Sequence, residues 1–317
     1  MSLNIVSLHH LKPEHIAMLQ AVRSDIQLHS VKPAETGPYL AEADILLAFG
    51  HTDLTPILPQ APQLKWIHAL SAGVDKFLAL DVFRNSDIIL TNSRGIHGIP
   101  IAEHVLGMML CSSRCLLTAY DNQKAHTWQA LRGIDELYGK TAAVIGLGSV
   151  GHEIARHLKS MGMKILAVKQ TPTSEPFVDQ LLPSSQMAAA VSAADYVVVS
   201  LPLTPDTRGL FDLSMFQRMK PNACFINIAR GPIVKEEDLI QALNKKIIRC
   251  AALDVFSHEP LPADSPLWDT PNLLITPHHA SSSPQYIGRT LKIFAENLLQ
   301  FPDCSHMRNL VDKKRGY

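Results

Sequence analysis

A chain of 317 residues exceeds one ordinary hydrophobic core, so two domains are expected. Its 29 basic residues balance 29 acidic ones, which leaves no electrostatic footprint for nucleic acid or an anionic membrane. No stretch approaches the roughly 18 consecutive apolar residues of a membrane-spanning helix, and no secretory leader pattern opens the chain.

The first hundred residues alternate short apolar runs with helical stretches. Asn4 to Leu8, Asp44 to Phe49, Lys65 to Ala69 and Ile88 to Thr91 read as strands; His15 to Arg23 and the stretch after Asp75 read as helices. Strands separated by helices imply a parallel sheet covered on both faces. A long helical pattern follows from about Pro100 to His126, opened by Pro100 and an early Glu103, both suited to a helix start. One helix of that length would serve as a connector or a subunit interface. Cys111 and Cys115 fall in it four apart, which predicts one shared helix face and small buried thiols. With Cys224, Cys250 and Cys304 they make an odd, scattered set without a CxxC pair, which points to reduced thiols in a cytoplasmic protein and away from metal ligation.

A second α/β series begins after Lys140. Its strands are expected at Thr141 to Ile145, Lys164 to Val168, Tyr196 to Ser200, Cys224 to Ile228, Arg249 to Leu253 and Leu273 to Thr276. A last helix, about Ser283 to Gln300, would cross back to the first domain. The expected fold is therefore α/β: two Rossmann-like domains with doubly wound parallel sheets and a cleft between them. Residues 1–99 with 285–317 would form the substrate domain, and 100–284 the dinucleotide domain.

Gly146-Leu147-Gly148-Ser149-Val150-Gly151 has the GxGxxG spacing, directly after an apolar strand and directly before the helical pattern Ile154, Leu158, Met161. Its first two glycines permit a tight turn and close approach of a pyrophosphate, and the third permits helix–strand packing; the helix start offers N–H groups to the phosphates. A NAD-binding loop wants an acid about 20 residues further on, at the end of the next strand. Here that strand ends at Lys169-Gln170-Thr171, without a carboxylate, and Lys169 would attract a 2′-phosphate. The cofactor expected is NADP in preference to NAD.

Three later strands each end on a chemically able side chain: Arg230 in Asn227-Ile228-Ala229-Arg230-Gly231, Glu259 in Asp254 to Pro260, and His278 in Thr276-Pro277-His278-His279. Ligands of open α/β sheets gather beyond such strand ends. A 2-oxo acid would use all three groups. Arg230 is a fixed cationic fork for its carboxylate and carbonyl; His278 is a proton donor in reduction; Glu259 would orient that imidazole and favour its charged form.

Taken in order, Ser71 to Asp75, Pro100 to His104, Gly146 to Gly151, Ser200 to Thr204 with Thr207, Asn227 to Gly231, Leu253 to Pro260 and Thr276 to His278 resemble the D-isomer-specific 2-hydroxyacid dehydrogenases, such as glyoxylate/hydroxypyruvate reductases. The resemblance covers nearly the whole chain, and Asn309 to Tyr317 resembles the family's closing segment. It implies reduction of a small 2-oxo acid to the D-2-hydroxy acid with a nicotinamide cofactor. It implies cofactor contacts from Gly146, Gly148, Ser149, Val150, Gly151, Lys169, Leu201, Pro202, Thr207, Ile228, Ala229 and Asp254. It further implies a substrate-carboxylate loop at Ala72, Gly73 and Val74, acting with Arg230 and His278, and a homodimer through Ile101 to Cys115. His279 stands where the family often has an apolar residue, which predicts packing there. Formate dehydrogenases usually carry glutamine in place of Glu259. The alternative is a dinucleotide-binding redox sensor of the corepressor type.

Overall fold

The computed structural model describes residues 2–32, 35–171 and 175–314. The last three residues of the closing segment lie outside the described residues. The chain divides into two compact units, Met1–Ile96 with Ser283–Tyr317, and His97–Ser282.

The first unit begins β1 (Leu3–Ser7), α1 (Pro13–Val22), β2 (Ile26–Ser30), α2 (Gly37–Leu40), β3 (Ile45–Ala48), β4 (Trp66–Ala69), α3 (Asp75–Leu78), α4 (Asp81–Arg84) and β5 (Ile89–Asn92). The five strands form a parallel sheet in the order β2-β1-β3-β4-β5. The second unit holds α5 (Gly98–Ser113), α6 (Leu116–Lys124), β6 (Thr141–Ile145), α7 (Ser149–Ser160), β7 (Lys164–Val168), β8 (Gln180–Leu182), α8 (Met187–Ala193), β9 (Tyr196–Val199), α9 (Leu213–Phe216), β10 (Cys224–Asn227), α10 (Glu236–Asn244), β11 (Cys250–Leu253) and β12 (Leu273–Ile275). Its sheet runs β12-β11-β10-β9-β6-β7-β8, all parallel, and the strand order reverses direction at β6. The chain then returns to the first unit as α11 (Tyr286–Gln300). Both sheets bear out the expected α/β class.

Both faces of each sheet are buried, which is why its central strands read as continuous apolar runs. In β6, Ala142 and Val144 point to one face, packed with Ile101, Val105 and Met108 of α5 and Ile154 and Leu158 of α7. Ala143 and Ile145 point to the other, packed with Val191, Phe216, Leu239 and Leu243. In the first unit Ile5, Ile45 and Trp66 lie against Leu19 of α1 and Leu291, Phe294 and Leu298 of α11.

Two expectations are corrected. The segment from Pro100 to His126 is not one helix, because Cys115 adopts a left-handed conformation (φ 53°) and separates α5 from α6. Cys111 and Cys115 therefore share no helix face, and both thiols are half-buried. The structure also adds two strands to those expected, β2 and β8, each at a sheet edge. Among the described residues no helix is long and apolar enough to cross a membrane.

Candidate active site

In the second unit β6 delivers the chain to Gly146, whose φ of +100° makes the turn out of the sheet. A Cβ on Gly151 would lie 2.0 Å from the Gly146 carbonyl oxygen, so only glycine lets α7 sit this close to β6, whereas one on Gly148 would meet nothing within 4 Å. Gly148 thus leaves room for the close approach of a pyrophosphate. No side chain caps α7, and the amides of Leu147 to Val150 donate to no protein acceptor among the described residues. Unclaimed donors at the positive end of a 12-residue helix fit phosphate oxygens. The neighbouring loop after β9 is tied to this turn by Ser200, whose hydroxyl donates to the Gly146 carbonyl at 2.6 Å. Leu201 and Pro202 follow, and Thr207 Oγ1 pins that loop by donating to the Pro202 carbonyl at 2.7 Å. The residues present fit a dinucleotide.

Lys169 follows β7 as expected, yet it is not a bare cation. Its Nζ lies 3.0 Å from Glu175 Oε1, and Glu175 Oε2 lies 3.1 Å from His152 Nδ1 in the first turns of α7. A carboxylate six residues further along the chain thus stands between Lys169 and His152. The Lys169 hydrogen bond and, more weakly, His152 hold the Glu175 carboxyl below its ordinary range against the opposing effect of burial.

Past β10 the Asn227 side chain folds the turn: its Oδ1 accepts the Ala229 N–H at 3.0 Å and its Nδ2 donates to the Arg230 carbonyl at 3.1 Å. Ile228 and Ala229 are buried by this turn, while Arg230 is left exposed, with Nη1 donating to the Ala229 carbonyl at 2.6 Å. His97 is held below the ordinary imidazole range by burial and by the Arg230 charge. Gly231 has no room for a side chain, since a Cβ there would stand 1.9 Å from the Phe256 carbonyl carbon. The Arg230 turn is thereby locked to the segment after β11.

That segment carries Glu259. One oxygen, Oε1, accepts the Phe256 N–H at 2.9 Å; the other, Oε2, lies 2.6 Å from His278 Nδ1. The carboxylate is fixed from behind and holds the imidazole in front. His278 itself has a left-handed backbone (φ 50°), a conformation uncommon for a residue with a side chain. Asp254 is almost fully buried and anchors the same turn: Oδ1 accepts the Thr276 hydroxyl at 2.6 Å and the His279 N–H at 3.0 Å, while Oδ2 accepts the Ala280 N–H at 2.9 Å. Sequence reasoning missed this role for Asp254, and it missed His104, whose Nε2 lies 3.1 Å from the Thr276 hydroxyl and 3.7 Å from Asp254 Oδ1. Burial lowers the His104 pKa; Asp254 opposes that shift and His279 adds to it. The rings of His104 and His279 meet edge to face at 5.0 Å. Both line a cavity of about 530 Å³ together with Pro100, Glu103 and Thr276.

In the first unit the amides of Ala72, Gly73 and Val74 donate to no protein acceptor among the described residues, so the loop presents unclaimed N–H groups, the requirement for an anion nest. Neighbouring side chains fix its shape. Asn92 Nδ2 donates to the Ala72 carbonyl at 2.9 Å, and Ser71 Oγ accepts the Gly50 N–H and donates to the Gly73 carbonyl, each at 2.9 Å. No group of three or more His, Cys, Asp or Glu is placed to hold a metal among the described residues.

Residues 106–280 match the family profile described as D-isomer specific 2-hydroxyacid dehydrogenase, NAD binding domain. The chain is 32% identical to glyoxylate/hydroxypyruvate reductase B of Pectobacterium atrosepticum over 256 residues, covering 79% of this chain and 80% of that protein. It is 33% identical to D-3-phosphoglycerate dehydrogenase of Methanocaldococcus jannaschii over 87% of its own length, but spans only 54% of that longer protein. A solved D-isomer specific 2-hydroxyacid dehydrogenase family protein from Aeromonas salmonicida superposes with a TM-score of 0.88 at 33% identity, covering 99% of this chain and all of that one. The NADPH-dependent glyoxylate/hydroxypyruvate reductase of Sinorhizobium meliloti, solved with NADP and sulfate, superposes with a TM-score of 0.81 at 27% identity over the full length of both chains.

Proposed function

Because this chain belongs to the family of D-isomer-specific 2-hydroxyacid dehydrogenases, we propose that it reduces a small 2-oxo acid, of the glyoxylate or hydroxypyruvate kind, to the D-2-hydroxy acid. The observation that carries this reading is the Glu259–His278 pair at 2.6 Å. With Nδ1–H donating to the carboxylate, Nε2 is the atom that hands a proton to the developing alkoxide, and Glu259 stabilises the imidazolium that precedes the transfer. The exposed guanidinium of Arg230 holds the substrate carboxylate and polarises its ketone. The amides of Ala72 to Val74, which donate to no protein acceptor among the described residues, are donors suited to a substrate carboxylate. When bound, the nicotinamide cofactor supplies the hydride.

The amides of Gly148, Ser149 and Val150 would hold the cofactor phosphates, with Gly146 making the turn and Gly148 leaving room for their approach while Gly151 lets α7 pack on β6, and Leu201, Pro202, Thr207, Ile228 and Ala229 would wall the remainder. Asp254 acts toward the nicotinamide end chiefly through the turn it anchors, since both its oxygens already accept bonds from that turn. NADP is the preferred cofactor, supported by Lys169 and by the NADP held in the Sinorhizobium relative. The reading extends to a homodimer formed along α5, from Ile101 toward Cys115. Five free cysteines suit a cytoplasmic protein.

Steady-state assays with glyoxylate, hydroxypyruvate, pyruvate and phosphohydroxypyruvate, each with NADPH and NADH, test the reading, with chiral analysis of the product. Turnover to the D-isomer is expected with at least one of the smaller acids. Tight dinucleotide binding without turnover on any of them would favour a redox sensor.

A further inference from the structure

The cation after β7 is one corner of a three-residue cluster. Glu175 bridges Lys169 and His152 with its two oxygens, and the His152 ring stands edge-on to Phe177 at 5.5 Å. The Glu175 side chain is only 16% exposed, and its carboxyl is held below the ordinary range, so it is charged at neutral pH. Lys169 and Glu175 then cancel, and the cluster carries no net charge while His152 is neutral.

That balance matters because the two nicotinamide dinucleotides differ at one ribose position. A 2′-hydroxyl is a donor that a carboxylate accepts; a 2′-phosphate is an anion that a carboxylate repels and an ammonium attracts. We propose that Glu175 sets the cofactor choice of this chain. Its carboxylate takes the 2′-hydroxyl of the unphosphorylated cofactor, and it must give up Lys169 before a 2′-phosphate can be held. The chain accordingly accepts both cofactors, with Lys169 favouring NADP and Glu175 limiting that preference. This rests on the reading above that Lys169, past the carboxyl end of β7, attracts the 2′-phosphate of NADP.

The test is calorimetric titration of the full chain with 2′,5′-ADP and with 5′-AMP, probes that differ only in the 2′-phosphate. Glu175→Gln is expected to tighten 2′,5′-ADP about tenfold relative to 5′-AMP, the size of one close charge–charge term near a protein surface. The NADPH-to-NADH ratio of kcat/KM should rise in the same direction. Glu175→Asp, which keeps the charge, should stay within about threefold of the parent ratio. Lys169→Ala should weaken 2′,5′-ADP and leave 5′-AMP nearly unchanged. If Lys169→Ala behaves so but Glu175→Gln leaves the ratio unmoved, the role of Glu175 is overturned while the ribose subsite stands. If neither variant moves the ratio, the subsite itself is misplaced and the proposal falls with it.

Discussion

His278 and His279 are neighbours in sequence, yet their imidazoles serve different partners. The first ring lies 2.6 Å from Glu259, and the second stands edge-on to His104 at 5.0 Å, while the backbone N–H of His279 donates to Asp254. The left-handed backbone at His278 turns the two apart. His278→Ala is therefore expected to lower kcat by about 10² to 10⁴-fold with dinucleotide affinity nearly intact, the usual range for loss of a general acid. His279→Ala should cost far less. Pre-steady-state hydride transfer in both variants checks this, and the reverse order of effects would refute the assignment.

Arg230→Lys should keep the charge but lose the planar fork. Expected is a drop in kcat/KM of at least about tenfold, corresponding to 1.4 kcal/mol of transition-state stabilisation. A variant with unchanged kcat/KM would show that Arg230 does not touch the substrate.

Gly231→Ala forces a methyl group to within 1.9 Å of the Phe256 carbonyl carbon, and backbone atoms cannot step aside as a side-chain tip can. The variant should lose roughly 1–3 kcal/mol of stability, the cost of overpacking. It should also lose activity, because Phe256 N–H is the group that fixes Glu259. Gly288→Ala is the contrast: in α11 its Cβ would meet nothing within 4 Å, so about 0.5–1 kcal/mol of stabilisation is expected from helix propensity. Denaturant melts of both variants would compare them directly.

His68 is fully buried, with Nδ1 2.8 Å from the Thr91 hydroxyl, and burial lowers its pKa to about 3. The unfolded chain takes up this proton near the ordinary value of 6.5, and the folded chain does so only near 3. The contribution is thus intact above about pH 7 and is lost progressively as pH falls from 6.5 toward 3. At pH 5 the loss is about 2 kcal/mol. His68→Gln should flatten the fall in unfolding free energy between pH 7.5 and 5 by about that amount. Equal slopes for parent and variant would contradict it.

The strands of the second unit were legible because strands buried on both faces are written as uninterrupted apolar runs; Thr141–Ile145 and Lys164–Val168 fall where the sequence puts them. Of the four edge strands, β5 and β12 were legible, but β2 and β8 were not. Ile26–Ser30 mixes Gln27, His29 and Ser30 into its run, and Gln180–Leu182 spans only three residues. The break at Cys115 was invisible because no glycine or proline marks it and the apolar pattern continues through it. At the site, the Arg230, Glu259 and His278 positions could be read from strand ends. The ties around them could not: His104 and Asp254 hold the turn that carries His278, and Glu175 holds Lys169, across intervals that no local spacing encodes.

The return of α11 to the first sheet has a consequence for how the protein is made. Leu291, Phe294 and Leu298 cover Ile5, Ile45 and Trp66, residues synthesised some 200 or more positions earlier. During translation the first sheet must wait with one face covered only in part, by α1, while the whole of residues 97–282 emerges. That inserted unit has its own two-sided core and can fold first. The first 96 residues are then the late-maturing part, the one a nascent chain would offer to a chaperone, and their apolar face closes only once residues 286–300 have emerged.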